Sequence, residues 1–250
     1  MKLNRLSLLL LLNFSGLLFG KNLSILSSGS INNIELLDVY LHEYNGNSIA
    51  IIPGGLGGTN FVDISDPTDL QVFGSYPAQY CDFGRLYAWS AKMSIAYGAG
   101  RDCGIHVVDF SNIEQPVLVN TIHDNTYEDN VRYEHTSVRE DLMFASRHQF
   151  GIEIFNIDNP EDPQKIVSYP TDNAWATLAI GPYLYVADGA FGIKVLEIST
   201  PVIPSLVAEI ETSGTAKDVD IFGNYLFVAV GAAGVDMFDI SNPEDPVFVD

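Results

Sequence analysis

Short runs of apolar residues, separated by turn-forming residues, recur along most of the chain and predict β-strands. Residues 225–230 form an apolar and aromatic run, and residues 234–240 alternate apolar with acidic side chains, which is the period of a strand with one buried face. An Asn- and Pro-containing turn follows at 241–246. Residues 217–224 form another strand and end in Gly-Asn, which is typical of a hairpin turn. A further strand, of which residues 205–211 are an example, follows the turn in this repeat. The pattern therefore predicts a four-stranded meander, and it shows no helical period.

The same unit repeats, each time around a glycine that opens its alternating strand. The glycines follow one another at steps of 46, 47, 41 and 42 residues, at Gly58, Gly104, Gly151, Gly192 and Gly234. A period of about 40–47 residues built from short strands is typical of a propeller blade. We therefore predict an all-β chain folded as a β-propeller of four-stranded blades. The propeller would span residues 21–250, with five repeat units at 34–75, 84–122, 134–168, 175–210 and 217–250.

The two ends of the repeat pattern bear on the size of the ring. Residues 23–30 match the register of 206–215, so a spare strand of the same type precedes the first unit. Asp250 stands at the position that Ala208 holds one repeat earlier, within a strand that the last blade has already begun. This arrangement predicts a fragment of a larger ring, and a closed five-bladed ring is the alternative.

Residues 192–204 (GIKVLEISTPVIP) and 218–229 (DVDIFGNYLFVA) resemble the repeat core of the LVIVD family of β-propellers. The resemblance covers about residues 34–250 and implies the propeller fold. It also implies a secreted or cell-surface protein, and it implies no particular activity. The WD40 family fits less well, because no Trp-Asp pair closes any repeat.

Charge and the N-terminus narrow the classes of partner. The formal net charge of −20 repels phosphate backbones and anionic lipid, which argues against a nucleic-acid partner. Lys2 and Arg5 precede an apolar stretch at 6–20, the pattern of a signal peptide covering residues 1–20. We expect an extracellular, cell-surface or periplasmic protein with no membrane span after the signal peptide. An uncleaved N-terminal anchor is the alternative.

The alternation of turns in a meander predicts which loops share a face of the ring. Successive connections of a meander lie on alternate edges of the sheet, so the turn that precedes each alternating strand shares a face with the segments between blades. One face then collects aromatic, acidic and histidine residues as a candidate binding face: Asp102, His123, Asp124, Tyr127, His135, Arg147, His148 and Trp175. The functional interpretation is a binding patch at one mouth of the central channel, and the alternative is a set of ordinary solvated loop residues.

Motifs for catalysis or cofactors are lacking in the sequence. We find no G-x-S-x-G elbow, no H-E-x-x-H helix and no P-loop lysine. His123, His135 and His148 follow no metal-ligand spacing, so we predict no metal site and no catalytic residues. The acidic turn at 63–69 lacks the glycine and distal glutamate of a calcium loop, so no cofactor is predicted, although surface calcium stays open.

These features favour an exported, non-enzymatic scaffold that presents loops of one face to a protein or glycan partner. A propeller hydrolase or lyase that uses the histidine-bearing face is one alternative. A structural surface-layer or adhesin module is the other.

The only two cysteines, Cys81 and Cys103, lie on loops that the turn alternation places on the same face. An exported chain with two cysteines favours a disulfide in an oxidising compartment. The alternative is two separate thiols.

Overall fold

The computed structural model describes residues 38–54, 58–66, 68–77, 86, 88–100, 103–122 and 132–250. These residues form twenty β-strands and a single 3₁₀ turn at Gly231–Ala233. Within this part of the chain, no helix is long and apolar enough to cross a membrane. The predicted signal peptide and the spare strand at 23–30 lie outside the described residues.

The strands fall into five groups of four. Blade 1 contains β1 Tyr40–Tyr44, β2 Asn47–Pro53, β3 Thr59–Asp63 and β4 Gln71–Tyr76. Blade 2 contains β5 Ala88–Lys92, β6 Ile95–Ala99, β7 Ile105–Asp109 and β8 Val117–Ile122. Blade 3 contains β9 His135–Arg139, β10 Leu142–Ser146, β11 Ile152–Asn156 and β12 Gln164–Tyr169. Blade 4 contains β13 Ala176–Ile180, β14 Tyr183–Ala187, β15 Ile193–Glu197 and β16 Ser205–Ile210. Blade 5 contains β17 Asp218–Phe222, β18 Tyr225–Ala229, β19 Val235–Asp239 and β20 Val247–Phe248.

Each blade is an antiparallel meander in which the strands pair in chain order. The blades are arranged around one axis, and their first strands are innermost, because β5, β9, β13 and β17 contact one another in sequence. Hydroxyl groups join these inner strands: Ser90 Oγ donates to Thr136 Oγ1 at 3.0 Å, and Ser137 Oγ lies 2.9 Å from Thr177 Oγ1. The predicted all-β propeller of four-stranded blades is confirmed.

The repeat glycine has a clear structural reason at the start of each third strand. Gly151 and Gly192 take φ angles of 78° and 76°, the left-handed region that favours glycine. A Cβ on Gly151 would lie 2.2 Å from the carbonyl oxygen of Tyr169, and one on Gly192 would lie 2.0 Å from that of Ile210. The glycine therefore lets the second strand turn into the third while the fourth strand passes close by.

Apolar side chains from successive blades make up the core. Tyr185 and Val195 of blade 4, for example, pack against Leu226 and Val228 of blade 5 in one buried cluster. Similar clusters join blade 1 to blade 2, blade 2 to blade 3, and blade 3 to blade 4. Burial of these faces is the main favourable term for stacking blades.

The turns between second and third strands share one end of the ring with the segments that lead into each next blade. We call this end the upper face; in blades 3 to 5 it comprises residues 147–151, 170–175, 188–192, 211–217 and 230–234. The opposite end, with the first-to-second and third-to-fourth turns, is the lower face.

Candidate interaction face

The upper face brings together four residues of the predicted binding face. Arg147 and His148 lie in the turn between β10 and β11, Trp175 lies in the segment leading into blade 4, and His135 begins β9. The other four predicted residues, Asp102, His123, Asp124 and Tyr127, lie outside the described residues, so their placement stays a prediction.

His148 is held in a conformation that usually belongs to glycine. Its φ angle is 50°. Its Nε2 lies 2.7 Å from Glu134 Oε1, and its Nδ1 lies 2.7 Å from Asn173 Oδ1. One partner is the carboxylate of Glu134 and the other is the side-chain amide of Asn173. The histidine is therefore fixed at both nitrogens.

Trp175 continues this arrangement toward blade 5. Its ring meets the His148 ring edge to face, with centroids 4.5 Å apart. The Lys217 ammonium, from the segment entering blade 5, lies 5.0 Å from the Trp175 ring centroid. We call these three side chains, His148, Trp175 and Lys217, the His–Trp–Lys row; it crosses blades 3, 4 and 5.

Arg147 points inward, away from this row. Its Nη1 lies 2.5 Å from Glu153 Oε1, and both side chains are buried. Tyr133 donates to the other Glu153 oxygen at 2.6 Å, and its ring lies beneath the Arg147 guanidinium at 5.3 Å. Lys165 adds a second cation at 3.1 Å from Glu153. Arg147 is thus part of a buried charge network rather than an exposed ligand contact.

His135 lies nearer the axis of the ring. Its Nδ1 accepts the backbone N–H of Thr177 at 3.5 Å. The carboxyl of Asp38, just before β1, has a pKa above its ordinary range because burial raises it, although the charge of His135 lowers it and that of Asp218 raises it further. The starts of β1, β9 and β17 are therefore close enough to interact electrostatically.

Among the described residues, no three His, Cys, Asp or Glu side chains are grouped as a metal ion would need. The acidic turn of blade 1 has a local role instead. Asp63 accepts the backbone N–H of Ser65 at 2.8 Å, and Asp66 accepts that of Thr68 at 2.8 Å. The hydrogen bonds from Thr68 hold the pKa of Asp66 below its ordinary value. These carboxylates stabilise the turn itself.

Sequence reasoning did not predict the structural role of the residue two places after each repeat glycine. In every blade it is a polar side chain within an apolar strand, namely Asn60, His106, Glu153, Lys194 and Asp236. In blades 3 to 5 it holds the segment that enters its own blade, through Tyr133, Asp172 and Ser213 respectively. In blade 2, His106 Nδ1 lies 2.9 Å from the hydroxyl of Tyr76, the last residue of β4 in blade 1. The signal was present in the sequence as a polar residue at glycine plus two in all five repeats.

Lys194 shows how this position is satisfied in blade 4. Its ammonium lies 2.6 Å from Glu209, 3.2 Å from Asp172 and 3.6 Å from Asp188. Burial alone would lower the pKa of Lys194, but hydrogen bonds to Glu209 and Asp172 and the charge of Asp188 raise it above its ordinary value. Lys194 therefore remains charged and ties the upper face of blade 4 together.

Cys103 lies in the turn between β6 and β7, and it is not a free thiol. Cys81 lies outside the described residues, so the predicted pairing of the two cysteines stays a prediction.

Comparison with known proteins agrees with this geometry. The model of the LVIVD repeat matches residues 57–78, 173–212 and 213–250. The chain therefore carries LVIVD repeats at these residues, as its sequence indicated, within a β-propeller fold. No curated protein matches the chain at a significant level.

Solved structures similar to the chain show the fold alone, since their sequence identities are low. The computationally designed Ika8 protein has a TM-score of 0.62 and 14% identity, over 88% of this chain and 63% of Ika8. The structure of U3-55K has a TM-score of 0.65 and 9% identity, over 87% of this chain and 64% of that one. The β-propeller domain of Cps50 (Swd1) from Myceliophteria thermophila has a TM-score of 0.62 and 10% identity, over 88% and 72%. The chain thus spans less than two thirds of the first two structures.

Proposed function

We propose that the protein is an exported binding scaffold without catalytic activity, and that its upper face contacts a protein partner through the His–Trp–Lys row. The observation that carries the proposal is the backbone of His148. The matching turn positions of blades 4 and 5 are Gly189 and Gly231, with φ angles of 64° and 67°. A side chain in this region costs about 1–3 kcal/mol. In blade 3 this cost accompanies a histidine whose ring contacts that of the half-buried Trp175.

Preorganisation makes such a row suitable for recognition. Trp175 is held between His148 and Lys217, and His148 is held by Glu134 and Asn173. Side chains that are already ordered lose little conformational entropy on binding. Tryptophan is also enriched among the residues that dominate protein interfaces.

The geometry favours a protein over a glycan. A sugar would stack on a face of the Trp175 ring, but the Lys217 ammonium already covers one face. Lys217 is exposed, so a carboxylate on a partner protein can pair with it without displacing the ring contact. The experiment below distinguishes a protein partner from a glycan partner.

The surroundings of His148 do not favour a catalytic role for this histidine. Both ring nitrogens of His148 already have partners, so proton transfer to a substrate would require one of these hydrogen bonds to break. The hydrolase or lyase alternative therefore has no free base in His148.

The proposal is tested by comparing ligand capture by the wild type, Trp175→Ala and Lys217→Glu. The mature protein is applied to a glycan array and, with a cross-linker, to envelope proteins of its source cell. We expect a cross-linked protein whose capture falls at least tenfold in both variants. The control is Ile203→Ala, an exposed apolar residue on the lower face, which should keep capture unchanged. Equal capture by all variants, or binding to glycans alone, contradicts the protein-binding role.

Export is a separate part of the proposal and has its own measurement. It is supported by the basic and then apolar segment at 1–20. We expect the intact mass of the protein recovered outside the cytoplasm to lack this segment. A full-length mass in the cytoplasmic fraction contradicts export.

A further inference from the structure

The side of blade 5 that points away from blade 4 is the feature from which this inference starts. In blades 1 to 4, the side of each sheet that faces the following blade is buried against it. Blade 4 shows this most clearly: Tyr185, Ile193 and Val195 are each fully buried beneath blade 5.

The same positions in blade 5 are uncovered. Val235 follows its repeat glycine as Ile193 does, yet Val235 is 61% exposed and Ile193 is 0% exposed. Phe227 and Met237 correspond to Tyr185 and Val195, and both are only half-buried. We call Tyr225, Phe227, Val235 and Met237 the terminal face. These side chains of the second and third strands have the apolar composition of a blade-to-blade interface, whereas the first strand adds Asp218 and Asp220 on the same side, and no blade among the described residues covers them.

A backbone feature at the rim of the terminal face points to the same kind of occupant. At the junction of blades 3 and 4, His148 and Ala174 exchange two backbone hydrogen bonds, of 3.0 and 2.9 Å. At the next junction, Gly189 and Ala216 exchange bonds of 3.1 and 2.9 Å. Gly231 has the same left-handed backbone in the corresponding turn. Among the described residues Gly231 forms no bridge of this kind, and its carbonyl accepts only the N–H of Gly234 within the turn, at 3.2 Å.

We propose that the terminal face binds a further four-stranded blade of the same repeat type, whose leading segment forms the backbone bridge with Gly231. The side of that blade that meets Val235 would be aliphatic and aromatic, as Leu226, Val228 and Phe238 are toward blade 4. The inference rests on continuity with an interface that this chain already forms at four junctions, and it is independent of the proposed function.

A second copy of the chain is a poorer fit to this surface. Blade stacking joins two different sides of a sheet, so copies would have to associate head to tail. The complementary side belongs to blade 1, where Ala50, Ile52 and Val62 are already buried. Face-to-face pairing would instead bring Asp218 and Asp220, which share the terminal face by register, against the same residues of the copy.

The experiment adds a blade in register and measures access to the terminal face. A second copy of residues 209–250 is joined after Asp250, because Asp250 occupies the repeat position of Ala208. Val235→Cys is placed in the original blade of both the extended and the 250-residue protein, and its rate of alkylation is followed by peptide mass mapping. We expect alkylation at position 235 to slow at least tenfold in the extended protein. Ile203→Cys, exposed on the lower face, is the matched control and should react equally fast in both.

Three outcomes overturn the proposal. The first is an equal reaction rate at position 235 in both proteins, with hydrogen exchange showing the added strands folded elsewhere. The second is an absence of hydrogen-exchange protection in the added strands, which means that the terminal face does not order a blade in register. Finally, concentration-dependent protection of position 235 in the 250-residue protein would assign the face to self-association. Restored alkylation when Val228→Asp is placed in the added copy alone would show that the protection comes from the proposed contact.

Discussion

The junction between blades 4 and 5 and the terminal face of blade 5 are two versions of one surface. Both are built from second and third strands in the same register, and both present aromatic and branched apolar side chains. At the junction, Ile193 is fully buried, and on the terminal face Val235 is largely exposed. The comparison shows that the repeat pattern specifies which side of a strand is apolar. Whether that side is buried depends on the presence of a neighbouring blade.

The inner strands show a related difference. Between blades 2, 3 and 4, hydroxyl pairs such as Ser137 and Thr177 connect adjacent first strands. The first strand of blade 5 has Asp218 and Asp220 instead, together with Val219. The middle blades are therefore joined by both apolar and polar contacts, whereas blade 5 depends on its apolar side.

The largest expected effect comes from placing a charge on each version of the surface. Ile193→Asp puts a carboxylate in a fully buried apolar cluster and should lower the free energy of unfolding by about 4 kcal/mol or more. Val235→Asp at the same register should change it by less than about 1 kcal/mol, because water reaches the side chain. Urea denaturation of the two variants measures both values. Similar losses would show that the terminal face is not exposed.

The next effect concerns the buried network of blade 3. Glu153→Ala leaves Arg147 buried without its carboxylate partner and should cost about 3 kcal/mol. Glu209→Ala removes an exposed partner of Lys194 and should cost at most about 1 kcal/mol. The comparison is made from thermal midpoints. Equal thermal midpoints of the Glu153→Ala and Glu209→Ala variants would contradict the view that Glu153 holds the segment entering blade 3.

Cys103 lies in the upper-face turn of blade 2. The corresponding turn of blade 3 contains His148, which is held by hydrogen bonds. A bridge between Cys81 and Cys103 would close a loop of 22 residues, which the chain-entropy model values at roughly 3 kcal/mol and engineered cases often place lower. We expect the non-reduced mature protein to resist alkylation and to lose stability on reduction. Two alkylatable thiols without prior reduction would contradict the bridge.

The smallest effect is a pH dependence at the junction of blades 4 and 5. Burial raises the pKa of Tyr185 to about 12, so the folded state favours the neutral phenol. Stability from this group is complete below the unfolded pKa of about 10 and is lost as the pH rises from 10 toward 12. Tyr185→Phe should change stability little at pH 7 and should become more stable than the wild type by about 2 kcal/mol as the pH rises across that window. Parallel pH profiles of unfolding for the two proteins would contradict this assignment.

Sequence reasoning was strongest where the period is strict. The repeat glycines at Gly151 and Gly192, the four-strand meander and the shared face of Arg147, His148 and Trp175 all follow from local turn chemistry and from the alternation of turns. The inward direction of Arg147 did not follow, because its partner Glu153 is reached only when β10 and β11 pair. The contact of Lys217 with Trp175 was also missed, because it joins two segments 42 residues apart in different blades.

Hydroxyl-radical footprinting of the unmodified protein tests the central comparison most directly, because it measures side-chain exposure at matched positions without any substitution. The account predicts that Val235 is oxidised several-fold faster than Ile193, since the two aliphatic side chains have similar intrinsic reactivity, with exposed Ile203 as the internal reference. Equal, slow oxidation of Val235 and Ile193 would show that the terminal face is already covered and would contradict the account.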